Sequence, residues 1–429
     1  MKVKFAAVFS ICALALFATA VFALVLSPLR PASFGANGTW FQPSGDFKLR
    51  CTEVQCLLKG VNPYDVWHGD VIMRPYRPNY APNAPQLRAE DGYDTEINAY
   101  APWEYTMMIP FALLPMSVSW PLYAAILYAC LFVLLYSGWK FARREGLSTR
   151  GSVVVGALTI LLAAVAVAGD FDSGNFGIIV CTSAVLMAAC LDKARESTGR
   201  KAIMWKALTG LCWAITMLKP QLGLIFAIPL LMRKEFLACA IASSICALLT
   251  IPPSILCHVS PITLIMQTPQ ANTFAFNGCG TLPYGLHSLF PVGFAINLAL
   301  AIGAVICIAM TFALRKEKSA VVYLFPAAVM ATTWTYSLRY SYVLLWFYFA
   351  LLLVSLAKNP HSRKLWIIAA LSLFFPTRAF SGLHFAILLL PHDSGILGML
   401  HDNFYYFDSV SSTVCILLAI ALCRAYDEL

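Results

Sequence analysis

Long apolar runs joined by short polar turns dominate this sequence of 429 residues. A helix needs about 20 apolar residues to cross a bilayer, because the hydrocarbon core is roughly 30 Å thick. Runs of this kind repeat along the chain, in which 60% of the residues are hydrophobic and only 12% are charged. The pattern predicts an all-α, polytopic transmembrane helical bundle of about 11–12 spans, forming a single integral membrane domain over residues 1–429.

The first apolar run, Phe5–Leu26, is longer than the core of a cleaved signal peptide, so we expect an uncleaved anchor. The later spans are predicted at Trp120–Phe141, Ser152–Ala168, Phe176–Leu191, Ile203–Met217, Leu222–Met232, Phe236–Leu256, Phe294–Leu314, Ala320–Tyr336, Tyr342–Ala357, Leu365–Phe375 and Val410–Leu422. The run at 365–375 is extended as far as Leu390 in an alternative reading.

Basic residues gather in alternate turns between the predicted spans, and cytoplasmic turns carry such an excess of Lys and Arg. The clusters are Lys140/Arg143/Arg144/Arg150, Lys193/Arg195/Arg200/Lys201/Lys206, Arg233/Lys234, Arg315/Lys316/Lys318 and Lys358/Arg363/Lys364. We therefore expect both termini in the cytoplasm. A bacterial inner membrane is the expected location, with the outer side periplasmic.

One long hydrophilic segment, residues 30–103, follows the first span and is predicted to be extracytoplasmic. Within it, four apolar residues at spacings of four, three and four form one helical face: Phe47, Cys51, Val54 and Leu58. They predict an interfacial helix over about 46–59, with Asp46 near its N-cap and Gly60 at its end. Asp46 is either a helix cap alone or a carboxylate available for chemistry.

Three basic residues, Lys219, Arg339 and Arg378, fall near short outer turns or inside spans, where the charge rule would exclude them. A basic side chain that faces lipid in mid-span costs about 2.5 to 3.5 kcal/mol, so it usually snorkels, is paired or binds an anion. Each residue alone fits snorkelling or internal pairing. The three together favour an anion site on the outer side.

Other residue types exclude several function classes. The net charge of +9 reflects the basic residues of the predicted cytoplasmic turns. The sequence contains no basic stripe with interleaved aromatics, the pattern that would indicate nucleic-acid binding. No His or Cys spacing predicts a metal site or another cofactor. Most cysteines fall in spans as small apolar packers. Only Cys51, Cys56, Cys257 and Cys279 could meet an oxidising exterior, so any disulfide would form among these four.

Several further carboxylates compete with Asp46. Asp170 and Asp172 lie in a glycine-rich stretch that we expect to be a solvated outer turn, although sugar hydroxyls or a cation are alternatives. Glu53 falls on the same side of the predicted helix as Asp46 and is a candidate second acid. Glu96 and Glu104 flank the point where the long loop returns to the membrane.

A set of short motifs resembles the GT-C membrane glycosyltransferases, and most closely glycosyltransferase family 87, which includes polyprenol-phosphate-mannose-dependent mannosyltransferases. Asp46 opens an interfacial helix after the first span. The other motifs are Gly60-x-Asn62-Pro63-Tyr64, Tyr100-x-Pro102-Trp103, Pro110-Phe111-x-x-Leu114-Pro115, Gly174-Asn175 and Leu218-Lys219-Pro220-Gln221. The Lys-Pro-Gln step is the most specific of them. Arg339 and Tyr340 stand where the family tends to have a polar residue such as His.

The resemblance implies a hexosyltransferase that uses a polyprenyl-phosphate sugar donor, with mannose as the first expectation. It would transfer the sugar, with inversion, to a lipid-linked or cell-envelope glycan acceptor on the outer face, without a cofactor or metal. Asp46 is implied as the general base, and Lys219, Arg339 and Arg378 as ligands of the donor phosphate. The motifs suggest substrate contacts at Asn62, Tyr64, Asn175, Gln221 and Tyr340.

Two other classes remain open for a chain with polar residues in its spans. One is a multi-span transporter or lipid flippase. Such proteins commonly contain internal repeats, whereas the long loop after the first span has no counterpart in the second half. The other is a structural or assembly subunit without chemistry.

Overall fold

The computed structural model describes residues 45–60, 62–66, 100–273, 282–287, 289–334, 339–377 and 404–427. The described residues form helices and no strands. The α-helices are α1 Gly45–Leu58, α2 Pro63–Val66, α3 Pro102–Ala112, α4 Met116–Arg144, α5 Thr149–Leu162, α6 Ala164–Ser173, α7 Gly177–Glu196, α8 Gly199–Thr216, α9 Pro220–Gly223, α10 Ala227–Met232, α11 Phe236–Cys257, α12 Pro261–Thr273, α13 Leu282–His287, α14 Val292–Ala313, α15 Ala320–Ala331, α16 Trp346–Lys358, α17 Arg363–Ser372 and α18 Phe404–Asp427. Two 3₁₀ helices, Leu224–Phe226 and Arg339–Leu345, connect neighbouring helices.

Six helical segments of the described chain are long and apolar enough to cross a membrane: Met116–Arg144, Gly177–Glu196, Phe236–Cys257, Gly293–Ala313, Tyr340–Lys358 and Ser409–Tyr426. A seventh would be the pair α5 and α6, which bends by 59°. The fold is therefore an all-α polytopic membrane bundle, as predicted. The total of 11–12 spans stays a prediction, and the first of them, Phe5–Leu26, lies outside the described residues.

The core of the bundle is formed by α15, whose residues are all buried, and by α7 and the segment Tyr340–Lys358, whose residues are mostly buried. Helices α4, α11 and α14 surround them and expose large apolar side chains, such as Phe132, Leu248 and Val305. Apolar exposure on this scale is expected where lipid replaces water as the solvent. The two sets distinguish an inner layer from a lipid-facing layer.

Helices α4 and α5 approach closely through two glycines. A Cβ at Gly156 would lie 2.9 Å from the Leu135 carbonyl oxygen, and one at Gly138 would lie 3.1 Å from the Gly156 Cα. Small residues at a helix crossing let the backbones approach, which is the usual packing device in membranes. This contact holds α5, and through it α6, against the long helix α4.

Charged residues of several turns meet at one end of the bundle. Arg144 contacts Asp192 at 2.8 Å between Nη1 and Oδ2, and Asp192 also accepts a hydrogen bond from the Ala320 backbone N–H. Lys358 pairs with Glu145, and Arg195 donates to the Lys318 carbonyl oxygen. Four of the basic clusters predicted to be cytoplasmic thus contribute residues to one end. Helix α4 extends roughly 43 Å from there, at about 1.5 Å per residue.

Candidate active site

Asp46 lies in the first turn of α1, at the end of the bundle where α4 begins. The Asn175 side chain donates from Nδ2 to Asp46 Oδ2 at 2.6 Å. Asn175 is itself held, because its Oδ1 accepts from the Phe176 N–H at 2.7 Å and its carbonyl oxygen from the Tyr123 hydroxyl at 2.8 Å. Asp46 is half-buried. Two residues that the sequence singled out separately are therefore joined by a hydrogen bond.

The face of α1 behind Asp46 carries buried charges. Arg50 and Glu53 are both almost fully buried and form an ion pair at 3.1 Å between Nη1 and Oε2. The Arg50 guanidinium also lies 3.6 Å from the centroid of the Tyr100 ring, a cation–π contact. The predicted apolar residues Phe47, Cys51 and Val54 are buried as well. The helix is thus packed on more than the single apolar face that the spacing predicted.

Lys219 occupies the break between α8 and α9. The residue before a proline favours extended backbone, and Lys219 adopts φ −116° and ψ 91° ahead of Pro220. Indole N–H groups hold the carbonyl oxygens on both sides of it: Trp103 contacts Met217 at 2.7 Å and Trp334 contacts Gln221 at 2.9 Å. The break is therefore fixed by specific contacts.

The Lys219 side chain is fully buried between aromatic rings. Its Nζ lies 3.9 Å from the centroid of the Tyr340 ring and 5.9 Å from that of Tyr100. Among the described residues, Nζ finds no hydrogen-bond acceptor. Burial lowers the pKa of this ammonium to about 8, against the attraction of Asp170, Asp46 and Glu104, which raises it. A buried cation without an acceptor is suited to receive an anion.

Asp170 lies in α6 and corrects the expectation of a solvated turn, because its side chain is fully buried. Its carboxylate accepts from the backbone N–H of Gly177 at 3.0 Å and from that of Ile178. These are the first N–H groups of α7, which lack partners within their own helix. Asp170 therefore caps α7 and supplies a negative charge beside Lys219. The side chain of Asp172 lies outside the described residues.

Glu104 lies in the first turn of α3 and is fully buried. Neither of its carboxylate oxygens has a hydrogen-bond partner among the described residues. The charges that act on it come from Arg50, Glu53, Lys219 and Asp46, so it belongs to the same cluster. The described cluster consists of four carboxylates and two cations: Asp46, Glu53, Glu104, Asp170, Arg50 and Lys219.

The comparison with protein families shows the class of this chain. The model of glycosyltransferase family 87 matches residues 98–337, more than half of the chain. The chain belongs to glycosyltransferase family 87. It is therefore a membrane glycosyltransferase, and the sequence resemblance to this family is confirmed. Searches of curated proteins and of solved structures give no significant match.

The matched range of this family 87 transferase includes Glu104, Asp170, Asn175 and Lys219, whereas Asp46 precedes it. Contacts nevertheless connect the two parts, because Asn175 from the matched range holds Asp46. Tyr100, also in the matched range, contacts Arg50 of α1. Direct side-chain contacts thus join the helix that carries Asp46 to the range that the family model matches.

Two further residues that were predicted to contact substrate, Asn62 and Tyr64, pack against a helix outside the charged cluster. Asn62 and Tyr64 contact α12, through Gln267 at 3.3 Å and Thr268 at 3.2 Å. The Tyr64 hydroxyl also donates to the Tyr100 carbonyl oxygen. They therefore support Tyr100 and lie behind the charged cluster.

Four further predicted residues, two of them basic, complete the account. Tyr340 contacts Lys219 through its ring, and Gln221 is held through its backbone carbonyl oxygen. The Arg339 side chain and all of Arg378 lie outside the described residues. No metal-binding group of His, Cys, Asp and Glu occurs among the described residues, and Cys51, Cys56 and Cys257 form no disulfide.

Arg50 is the member of the charged cluster that sequence reasoning missed. Asp46, Arg50 and Glu53 are spaced by four and three, which is the repeat of one helical face. This polar stripe lies beside the apolar one and could have been read from the same helix. The burial of Glu104 and Asp170 had no such local signal, because it arises from contacts between segments distant in sequence.

Gly177 connects the cluster to the segment that carries Tyr340. A Cβ at this position would collide with the Tyr340 carbonyl oxygen and lie 2.9 Å from Asp170 Oδ2. We expect Gly177→Ala to displace both groups and to destabilise the protein by roughly 1–3 kcal/mol, the usual cost of overpacking. Thermal unfolding in detergent measures this loss, and transfer activity should fall with it.

Gly293→Ala is the matched control for this substitution. No atom lies within 4 Å of a Cβ built at Gly293, and the residue is helical. Alanine is the better helix former, so the control should be neutral or slightly stabilising. Equal unfolding midpoints for the two variants would contradict the proposed close contact at Gly177.

Proposed function

We propose that this chain is a GT-C type hexosyltransferase that uses a polyprenyl-phosphate sugar donor, with mannose as the first candidate sugar. The acceptor is a lipid-linked or cell-envelope glycan on the outer face of the membrane. Asp46 acts as the general base, and Lys219 binds the donor phosphate. The observation that carries this proposal is the single cluster in which Asp46, held by Asn175, lies in the electrostatic range of the buried Lys219.

The proposed reaction is a single displacement at the anomeric carbon. The acceptor hydroxyl oxygen forms the new C–O bond as the bond from the anomeric carbon to the phosphate oxygen breaks. The hydroxyl proton passes to Asp46, and the electron pair leaves with the polyprenyl phosphate. A positioned base typically contributes a factor of 10² to 10⁴ to such a step. Attack from the side opposite the leaving group gives inversion.

Lys219 supports the departure of the phosphate. Negative charge grows on the bridging oxygen in the transition state, and a preorganised cation in a water-poor site stabilises it strongly. Tyr340 and Tyr100 surround Lys219 with aromatic carbon, which lowers the local dielectric. Arg50 is held by Glu53 and so contributes structure and charge balance in this scheme.

The position of the cluster in the bundle supports an outer-face reaction. The site lies where α4 begins, and the basic turns meet where α4 ends. If the positive-inside rule holds, the basic end is cytoplasmic and the cluster lies on the outer side. A prenyl tail could then remain in lipid while its phosphosugar enters between the helices.

The direct test is sugar transfer by the purified protein in nanodiscs. The donors are mannosyl-, glucosyl-, galactosyl- and arabinosyl-phosphopolyprenols, with membrane lipid extract as acceptor. Transfer from one donor, with inverted stereochemistry of the product, is the expected result. Transfer from nucleotide sugars alone would overturn the donor class. Absence of transfer from every donor, with uptake of solute by vesicles, would favour a transporter.

The pH profile gives an independent prediction for Lys219. Its ammonium loses the proton as the pH rises through about 8, so the free enzyme loses the positive charge that would bind the donor phosphate. We expect kcat/KM for the donor to fall at pH above about 8. In Lys219→Arg the residual kcat/KM should not fall there, because a guanidinium stays charged. A wild-type profile that is flat to pH 10 would contradict the assignment.

A further inference from the structure

Glu104 and Lys219 form an unusual pair of buried groups. Both are fully buried, and neither has a hydrogen-bond partner for its charged atoms among the described residues. They attract each other electrostatically, yet they form no ion pair within 4 Å. A buried polar group without a partner destabilises the folded protein. Such groups persist in proteins where function requires them.

The surroundings of Glu104 define which ligands it can accept. Glu53 and Asp46 repel a negative charge on Glu104, whereas Arg50 and Lys219 attract it. Arg50 is already paired with Glu53. Glu104 is therefore not needed to neutralise Arg50. A phosphate directly beside Glu104 would be repelled by the carboxylates of Glu53 and Asp46.

A sugar hydroxyl meets the requirement, because it can donate a hydrogen bond to a carboxyl oxygen and also accept one. Lys219 has the complementary property, since an ammonium can only donate. A ligand that satisfies both must carry an anionic oxygen and a hydroxyl group a short distance apart. A sugar attached directly to a phosphate has this arrangement.

We propose that Glu104 is a sugar-binding residue of this transferase, which binds a hydroxyl of the donor sugar while Lys219 binds the adjoining phosphate. This inference rests on the proposed donor class. It assigns the two groups to different parts of one ligand: Lys219 recognises the phosphate whether or not a sugar is attached, and Glu104 recognises the sugar alone.

The charge state of Glu104 supports the same role. Glu104 lies outside the candidate spans of the described residues, and burial raises its pKa well above the usual range for a carboxyl, although Arg50 lowers it. A neutral carboxyl group both donates and accepts a hydrogen bond, as a hydroxyl does. Glutamine resembles this form closely. The Glu104→Gln variant should therefore keep much of the function.

The test compares a bare lipid phosphate with forms of the same lipid that carry a sugar. Binding of undecaprenyl phosphate and of the four sugar-phosphoundecaprenols named above is measured on the full chain in nanodiscs. The wild type should bind one sugar-bearing lipid more tightly than the bare lipid. Glu104→Met should weaken the binding of that sugar-bearing lipid by about 10-fold or more and change the affinity for the bare lipid less than twofold. Glu104→Gln should retain most of the preference.

Two further variants separate this role from a structural one. Glu104→Asp keeps the polarity but withdraws the carboxyl by one methylene, so this variant should also lose the preference for the sugar-bearing lipid. It replaces Glu104→Met in the test if the Met variant does not fold. Lys219→Met should weaken the binding of both the bare and the sugar-bearing lipid. Glu235→Ala, which removes a buried carboxylate paired with Lys206 near the basic end, should leave both affinities unchanged.

The outcomes distinguish this inference from the proposed function. If wild-type protein binds none of the lipids, the donor class and the role of Glu104 both fail. If the wild type binds the lipids but the Glu104 variants weaken binding of the bare and sugar-bearing lipids equally, only the role of Glu104 fails. The same holds if the variants bind both kinds of lipid as tightly as the wild type does. Equal affinity of the wild type for bare and sugar-bearing lipids would also overturn it.

Discussion

Asp46→Asn should reduce the rate of sugar transfer by about 10²- to 10⁴-fold, the usual contribution of a positioned general base. The amide keeps the size of the side chain, and its oxygen can still accept the hydrogen bond from Asn175 Nδ2. It cannot take the proton of the acceptor hydroxyl. The loss should therefore appear in kcat, with donor binding nearly unchanged.

Asp192→Asn provides the matched control for this change. Asp192 lies at the basic end of the bundle, where it contacts Arg144 and the Ala320 N–H. The same chemical replacement there should leave the transfer rate within about twofold, since it is far from the cluster. Transfer that survives Asp46→Asn in folded protein would move the base to another carboxylate, with Asp170 and Glu104 as the nearest candidates.

Lys219→Met should lower kcat/KM for the donor by about 10²- to 10³-fold, the range seen when one stabilising donor is removed from a transition-state site. Methionine fills the space between the Tyr340 and Tyr100 rings, so the fold should remain intact. Lys219→Arg should restore only part of the activity. A planar guanidinium differs from a compact ammonium in shape and does not fit the same space.

The control for the Lys219 variants is Lys206→Met. Lys206 pairs with Glu235 at 3.3 Å and is partly exposed, so its loss should cost little. Thermal unfolding of both variants in detergent tests whether the protein is folded. If Lys219→Met retains wild-type affinity for polyprenyl phosphate, the phosphate ligand must be sought in Arg339 or Arg378.

The sequence predicts the helical class well because apolar length is a local property. It does not predict where the helices break. Ser152–Ala168 reads as one uniform apolar run, yet the chain bends by 59° between α5 and α6. No proline lies near Ala163, so the break has no local signal. It follows from the contacts that hold Asp170 against the start of α7.

The sequence also yields hypotheses for the site, and the roles of Asp46 and Lys219 stay predictions. Asp46 follows from its place at the start of a helix, and Lys219 from the exclusion of isolated cations from outer turns. The partners of both residues come from other segments: Asn175 holds Asp46, and Tyr340 lies under Lys219. The burial of Glu104 depends on how α1 packs against α3. Such contacts between distant segments cannot be read from a single sequence.

The burial of Lys219 and Glu104 also bears on a competition that every glycosyl transfer faces. Water is an acceptor too, and at its high concentration it would hydrolyse the donor if it reached the anomeric carbon. The side chains of Lys219 and Glu104 are closed to solvent, whereas Asp46 is partly open. Nucleophiles would therefore approach from the Asp46 side, where a bound acceptor displaces water. Burial of these two side chains would thus favour transfer of the sugar to the acceptor over its loss to water.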